Sequence, residues 1–288
     1  MADPGRRSAR RDDLVASFFT LSGAGFGEPP RHSFQARCEA AAAAGFTGIG
    51  LHLDDLDRTR AAGLDDAGMK AVLDGTGLRL VEIEFLGGWA LDGEYEELAA
   101  TTAGVEAVAD ALGGRHVSAG EFRAGRLDLD AAGARLGRLA ERLAHRGLRV
   151  AVEAFPWSAL PDVATAVELL RRAGSEHAGL MVDVWHFFNG GADLAVLDHL
   201  PGGGIVAVQL NDGPRVRRDF LKHARTARRL PGFGDLDVVG LVRAVRRAGF
   251  AGPWSVEVNT PVFRDLPVEE AAVVAADAAT AVIDAARR

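Results

Sequence analysis

The sequence predicts an α/β fold, a single closed (β/α)8 barrel over residues 14–288, and three observations carry that expectation. Short runs rich in Val, Ile, Leu and Phe alternate with longer stretches of Ala, Leu, Arg and Glu at helical spacing, the rhythm of βα units. Eight such units follow one another with no Pro/Ser-rich linker between them. Where helix gives way to strand the same phrase returns, a glycine and then an apolar residue: Gly45 and Phe46, Gly147 and Leu148, Gly249 and Phe250.

In order along the chain, the strands read 14–20, 46–52, 78–85, 114–118, 148–154, 178–183, 204–210 and 253–258. Between them lie stretches such as 128–145 and 236–248, whose apolar residues fall three and four apart and predict amphipathic helices. Parallel strands joined by helices form either an open sheet or a closed barrel, and eight units without a break favour the barrel. An open nucleotide-binding sheet would want G-x-G-x-x-G after its first strand; residues 22–29, SGAGFGEP, lack that spacing.

Bulk properties bound the function. A chain of 288 residues, 48% hydrophobic, buries a large core. Its lone cysteine, Cys38, excludes an internal disulfide framework, which makes the cytoplasm the expected location. Residues 1–13 open polar and basic with no apolar core of a secretory signal, and read as a disordered N-terminal segment ahead of the barrel. Charges or glycines interrupt every apolar run before it reaches the ~20 residues that span a bilayer, so no membrane partner is expected. A net charge of -7 offers no overall attraction to nucleic acid, and a small-molecule substrate is favoured.

In a barrel of this kind the site is built at the C-terminal ends of the strands. Strand five ends with Glu153, six with Asp183, seven with Gln209 and eight with Glu257, each polar group set in an apolar run. Any one of them reads equally as a satisfied core group or an ion-pair member. Four in equivalent positions would converge as three negative charges in a cavity of low dielectric, which calls for a compensating cation. The donors are all oxygen if Gln209 ligates through its carbonyl, so the metal set is Glu153, Asp183, Gln209 and Glu257, with Mn2+ or Mg2+ the expected ion ahead of Zn2+ or Co2+.

Around that set, His186 falls on the loop rim after strand six, as a substrate contact or as a structural histidine beside Trp185 and Phe187. Glu82 and Glu84 alternate to one face of strand three, and Glu84 is the one expected to reach the pocket, with Trp89 beside it. His52 and His116 sit similarly in strands two and four, as substrate contacts or structural residues. Phe155 and Trp157, with Phe18 and Phe19, suggest an apolar wall, the two strand-one rings reading more readily as core. Residues 213–235 carry Arg215, Arg217, Arg218, Lys222, Arg225, Arg228 and Arg229, either a solvated helix face or a lid that recognises a phosphate or carboxylate.

These residues carry a resemblance. Glu153, the D-x-x-H of Asp183 to His186, the strand-seven residue with Asp212 after it, and Glu257 together look like the xylose isomerase-like barrel superfamily. Within it the chain is most similar to the sugar phosphate isomerase/epimerase group, relatives of ketose 3-epimerases and inosose dehydratases. The likeness is strongest over 148–260. It implies that Glu153 and Glu257 move the proton at the reacting carbon, that His186 contacts substrate, and that Arg215, six residues past the strand-seven ligand, holds an enolate oxygen. It also implies a sugar-like substrate and admits a homo-oligomer. Two positions depart from the family pattern: its strand-seven histidine is Gln209, and a second glutamate beyond Glu153 is Ala159.

The expected activity is therefore a divalent-metal-dependent isomerase or epimerase acting on a sugar, sugar phosphate or cyclitol through an enolate. The alternatives are a lyase on the same scaffold, acting on a keto-cyclitol or a 3-keto glycoside, and a barrel that has lost chemistry and serves as a binding partner. No H-E-x-x-H, P-loop or G-x-S-x-G motif competes, and a histidine-rich multi-zinc DNA-repair site lacks its histidines here.

Overall fold

Each apolar run forms a parallel strand, and in the computed structural model the eight close into a barrel in chain order, β1 against β8. The structure describes residues 13–93, 95–200 and 204–288. The segment 1–13, expected to be disordered, lies outside these residues except for Asp13, whose carbonyl accepts from the Trp254 amide. The strands are β1 (Leu14–Ala16), β2 (Gly48–His52), β3 (Arg79–Leu86), β4 (His116–Ala119), β5 (Arg149–Val152), β6 (Ala178–Asp183), β7 (Ile205–Leu210) and β8 (Trp254–Val256).

One expectation needs correcting. The first strand stops at Ala16 rather than continuing to residue 20, and Phe18–Ser22 winds into a short helix. Groups from other strands draw the chain inward there. The Phe18 amide donates to Glu84 Oε1 at 3.2 Å, and the Thr20 hydroxyl donates to the Val256 carbonyl at 2.6 Å.

The outer helices follow the apolar spacing. Leu129–Ala144 buries Leu136, Leu139, Ala140 and Leu143 along one stripe and starts at Asp128, whose carboxylate accepts from the amides of Asp130 and Ala131. Val238–Arg247 does the same with Leu241, Val242, Ala244 and Val245 behind an Asp237 cap. The recurring glycines explain the turn that follows. Gly45, Gly147 and Gly249 take φ of 91°, 73° and 91°, and the next amide reaches back five residues, as in Phe46 to Ala41 at 3.0 Å and Phe250 to Val245 at 3.0 Å. The same stop recurs at Gly77, where the Leu78 amide reaches back to Leu73 at 3.0 Å just ahead of β3. Among the described residues no helix is long and apolar enough to cross a membrane.

Register then sets the site. Asp183 of β6 lies beside Gln209 of β7, and Glu84 of β3 beside His52 of β2. Glu153 and Glu257 come immediately after β5 and β8.

Candidate metal and substrate site

The strand ends open into a cavity of about 660 Å3 whose lining includes Glu84, Glu153, His186, Gln209, Arg228 and Glu257. All six are buried, as is Asp183 at their base. Asp183 is placed twice over. Its Oδ1 accepts from the His186 amide at 2.8 Å, capping the helix Val184–Asn189, and its Oδ2 accepts from Asn211 Nδ2 at 2.6 Å. That cap fixes the spacing of the D-x-x-H phrase, because the carboxylate that orients the helix also sets its third residue over the well. One ligand atom each from Glu153, Asp183 and His186 lies within 4.8 Å of the others, close enough to share a cation.

Gln209 tests whether that donor set suits a metal. Its Nε2 donates to Glu82 Oε1 at 2.7 Å, and Glu82 also accepts from the hydroxyls of Ser118 at 3.3 Å and Ser255 at 2.9 Å. A carboxylate that accepts the amide NH2 leaves the Gln209 carbonyl oxygen on the opposite side. That oxygen is buried and has no hydrogen-bond partner. An orphaned carbonyl beside Asp183 fits a hard cation bound by oxygen donors, and Glu82 is the residue that orients it.

Arg228 is the cation that reaches the carboxylates. Nη1 donates to Asp183 Oδ2 at 2.8 Å and to Glu257 Oε1 at 3.1 Å, and Nη2 lies 2.8 Å from His186 Nε2. An arginine only donates, so His186 Nε2 accepts and the ring carries its proton on Nδ1. Arg228 is held by an antiparallel bridge one residue on. The Asp212 amide donates to the Arg229 carbonyl at 2.9 Å and the Arg229 amide returns the bond at 2.8 Å. The Asp212 carboxylate clamps the rest of the segment, accepting from the amides of Gly213, Gly232 and Leu236.

The residues expected at the site divide. His52 and Trp157 line the cavity along with Glu84. Arg215 does not. It is exposed, with its guanidinium 5.2 Å over the Phe188 ring, because hydrogen bonds from Asn189 to the Pro214 carbonyl and from the Val216 amide to Asn189 hold its backbone on that side. Arg228, thirteen residues later in the same basic run, is the arginine of the well; the sequence signal that could have found it is Asp212, whose backbone fixes Arg229. Trp89 is fully buried in the core instead of standing beside the pocket. His116 lies in the barrel interior, its Nε2 3.9 Å from Glu82 Oε1.

Crowding of buried acids has a titration signature. Burial, then Asp183 and Glu257, push the Glu153 carboxyl well above the usual range; burial, then Glu82 and Glu257, do the same to Glu84. Glu257 is pushed up to about 8 by burial, with Arg228 opposing and Asp183 and Glu82 adding to the rise. His186 is pushed down to about 3 by burial, Asp183 opposing and Arg228 reinforcing.

These shifts set the pH dependence of stability. A carboxyl raised to about 8 holds in the fold a proton that the unfolded chain releases near 4.5, so its contribution is full below 4.5 and lost as pH rises to 8. The depressed His186 acts in the opposite sense, contributing above 6.5 and losing that as pH falls toward 3. From pH 6.5 to 8 the raised carboxyls govern, Glu153 and Glu84 acting in the same sense as Glu257. Chelator-treated protein is expected to lose on the order of 2 kcal/mol of unfolding free energy across that interval, measured by urea titration. A flat or rising profile would show that Glu257 ionises in the usual range.

The sequence profile of the xylose isomerase-like TIM barrel family matches residues 38–281. Among curated proteins the chain is similar to 3-dehydroshikimate dehydratase of Pseudomonas aeruginosa, 37% identical over 139 residues that cover 48% of this chain and 22% of that protein. It is also similar to inosose isomerase of Halalkalibacterium halodurans, 26% identical over 150 residues, 51% of this chain and 52% of that one. The match thus spans about a fifth of the dehydratase's length and half of the isomerase's. Among solved structures, the IOLI protein with a binding zinc atom shares the fold at a TM-score of 0.85 and 18% identity, covering 95% of this chain and 98% of that one.

Proposed function

The chain belongs to the xylose isomerase-like TIM barrel family, and on that premise we propose that it is a divalent-metal-dependent enzyme that moves a proton beside the carbonyl of a polyhydroxylated keto substrate. The substrate class is a sugar, sugar phosphate or cyclitol, and the outcome is isomerisation or epimerisation through an enolate. The observation that carries this reading is the pair Glu153 and Glu257, both buried at the cavity with raised pKa values, beside an orphaned Gln209 carbonyl.

Glu153 and Asp183, which converge with His186, would hold the cation together with Gln209 and Glu257, and a mainly oxygen donor set favours Mg2+ or Mn2+. When bound, a divalent cation supplies Lewis acidity toward a substrate carbonyl and its neighbouring hydroxyl. The protein's own groups do the rest. Glu257 is a carboxyl fixed at the cavity by Arg228, and its position suits it as one partner in the transfer. Glu153 is the second. Arg228 commits Nη1 to Asp183 and Glu257 and one Nη2 hydrogen to His186, and the second Nη2 hydrogen can donate to an oxygen that gains negative charge. His186, neutral, sits edge-on to Phe155 and Trp157 and directs Nε2 toward Glu153 Oε1 at 3.6 Å.

The test is deuterium exchange. Protein loaded with Mn2+ or Mg2+ and offered keto-sugars and keto-cyclitols in D2O should exchange the proton next to the carbonyl of at least one of them, seen by NMR. No exchange with any of them would sink the proton-transfer reading.

Arg228 favours a second outcome on the same scaffold, a lyase that expels water. A guanidinium at the base of the cavity pairs with a carboxylate on the substrate, and the dehydratase similarity is the one at 37% identity. Elimination creates a conjugated chromophore and lowers the mass by one water, whereas epimerisation preserves both. Product mass and ultraviolet absorbance therefore separate the two.

A further inference from the structure

We propose that the substrate carries a flat apolar group, an aromatic aglycone or ring substituent, beside its polyhydroxylated keto ring. The proposal rests on the proton-transfer reading above and names the substrate class more narrowly. Its basis is the aromatic part of the cavity lining, which takes no part in the proton transfer.

Three rings there share nearly one orientation. Phe122 and Phe155 are stacked at 4.8 Å and 7°, and Phe155 and Trp157 at 5.2 Å and 12°. Phe85 extends the array, 4.8 Å from Phe122. Phe26 and Leu221 add apolar surface, and all six side chains belong to the lining of the same cavity as the buried acids. Phe122 is 45% exposed, Phe26 37% and Leu221 36%, three of the large apolar side chains that the described residues leave to solvent. Apolar surface clustered around one opening marks a ligand contact better than the same residues scattered singly.

Size and charge agree with this. A cavity of about 660 Å3 falls within the ~300–1,000 Å3 that enclose a drug-sized ligand, so a lone sugar ring seated on the carboxylates would leave much of it unfilled. The lining charges there are Asp54, Asp57 and Glu97 against Arg123 and Arg225. Arg123 is paired with Glu121 at 2.9 Å, and Arg225 lies 5.0 Å over the Phe26 ring. No positive excess draws a phosphate to this part. A planar group lying parallel to the array gains both area burial and ring stacking.

Isothermal titration calorimetry on the full chain loaded with Mn2+ tests this with two probes, phenyl β-D-glucopyranoside and methyl β-D-glucopyranoside. The phenyl glycoside is expected to bind about tenfold more tightly. Phe122→Ala and, separately, Phe122→Leu, which keeps apolar bulk without a ring, should each cut that preference to within about threefold while the methyl glycoside binds as before. Equal affinity for the two probes, binding of neither, or a preference that survives both substitutions overturns the proposal. Thermal melts of both variants establish that they fold. Deuterium exchange without any aryl preference would defeat this proposal alone, and an aryl preference without exchange would defeat only the proton-transfer reading.

Discussion

Arg228→Met is expected to cost roughly 3–5 kcal/mol of unfolding free energy in metal-free buffer, because removing one partner of a buried ion pair strands the others. The guanidinium is 3% exposed and is shared between Asp183 and Glu257. Burial alone would ease its proton off, yet Asp183, Glu257 and Glu153 outweigh that and hold the group charged. Methionine fills much of the same volume but answers none of these charges. The stranded carboxyls then protonate to stay buried, so the loss should deepen as pH rises from 6.5 to 8, and added Mn2+ or Mg2+ should restore part of it. Urea unfolding at the two pH values, with and without metal, measures each statement. Unchanged stability at both would show that the carboxylates do not depend on Arg228.

Glu257→Gln should lower kcat on any substrate found by deuterium exchange by about 10²–10⁴, the usual contribution of one positioned acid or base. The substitution keeps size and an acceptor oxygen for Arg228 Nη1, which donates to Glu257 at 3.1 Å, so the fold should persist. Proton exchange at the reacting carbon should fall in step with turnover, since both use the same carboxyl. Steady-state rates at saturating metal, alongside the metal content of wild-type and variant protein, separate a lost base from a lost ligand. A variant that loads metal and turns over at the wild-type rate would remove Glu257 from the chemistry.

What could be read from the sequence follows physical range. The eight strands were legible because burial on both faces of a parallel strand leaves a local apolar run, and the strand-end acids were legible as interruptions of those runs. The first strand was overdrawn because Phe18 and Phe19 look like strand residues locally; what bends them into a helix are hydrogen bonds to Glu84 and Val256, distant in sequence. Arg228 was hidden for the same reason. It follows the short helix Phe220–Thr226 in a run of exposed cations, and only the Asp212 bridge turns it inward. The family resemblance pointed to Arg215, six residues past the strand-seven ligand, but a count along a loop does not fix where a side chain goes. Glu82 shared a face with Glu84 in the strand alternation, while its partnership with Gln209 spans 127 residues of sequence and left no local trace.

The clamp made by Asp212 also separates two jobs along the chain. Because Asp212 grips both the residue after Arg228 and the turn at 232–236, the stretch from 214 to 227 is a closed excursion whose two ends meet at one carboxylate and one backbone bridge. The guanidinium's place over the well is fixed from those two ends. The barrel thus presents a boundary: beyond the Asn189 contacts at Pro214 and Val216, the excursion that bears Leu221 and Arg225 at the entrance is expected to accept change while the machinery beneath it stays in register.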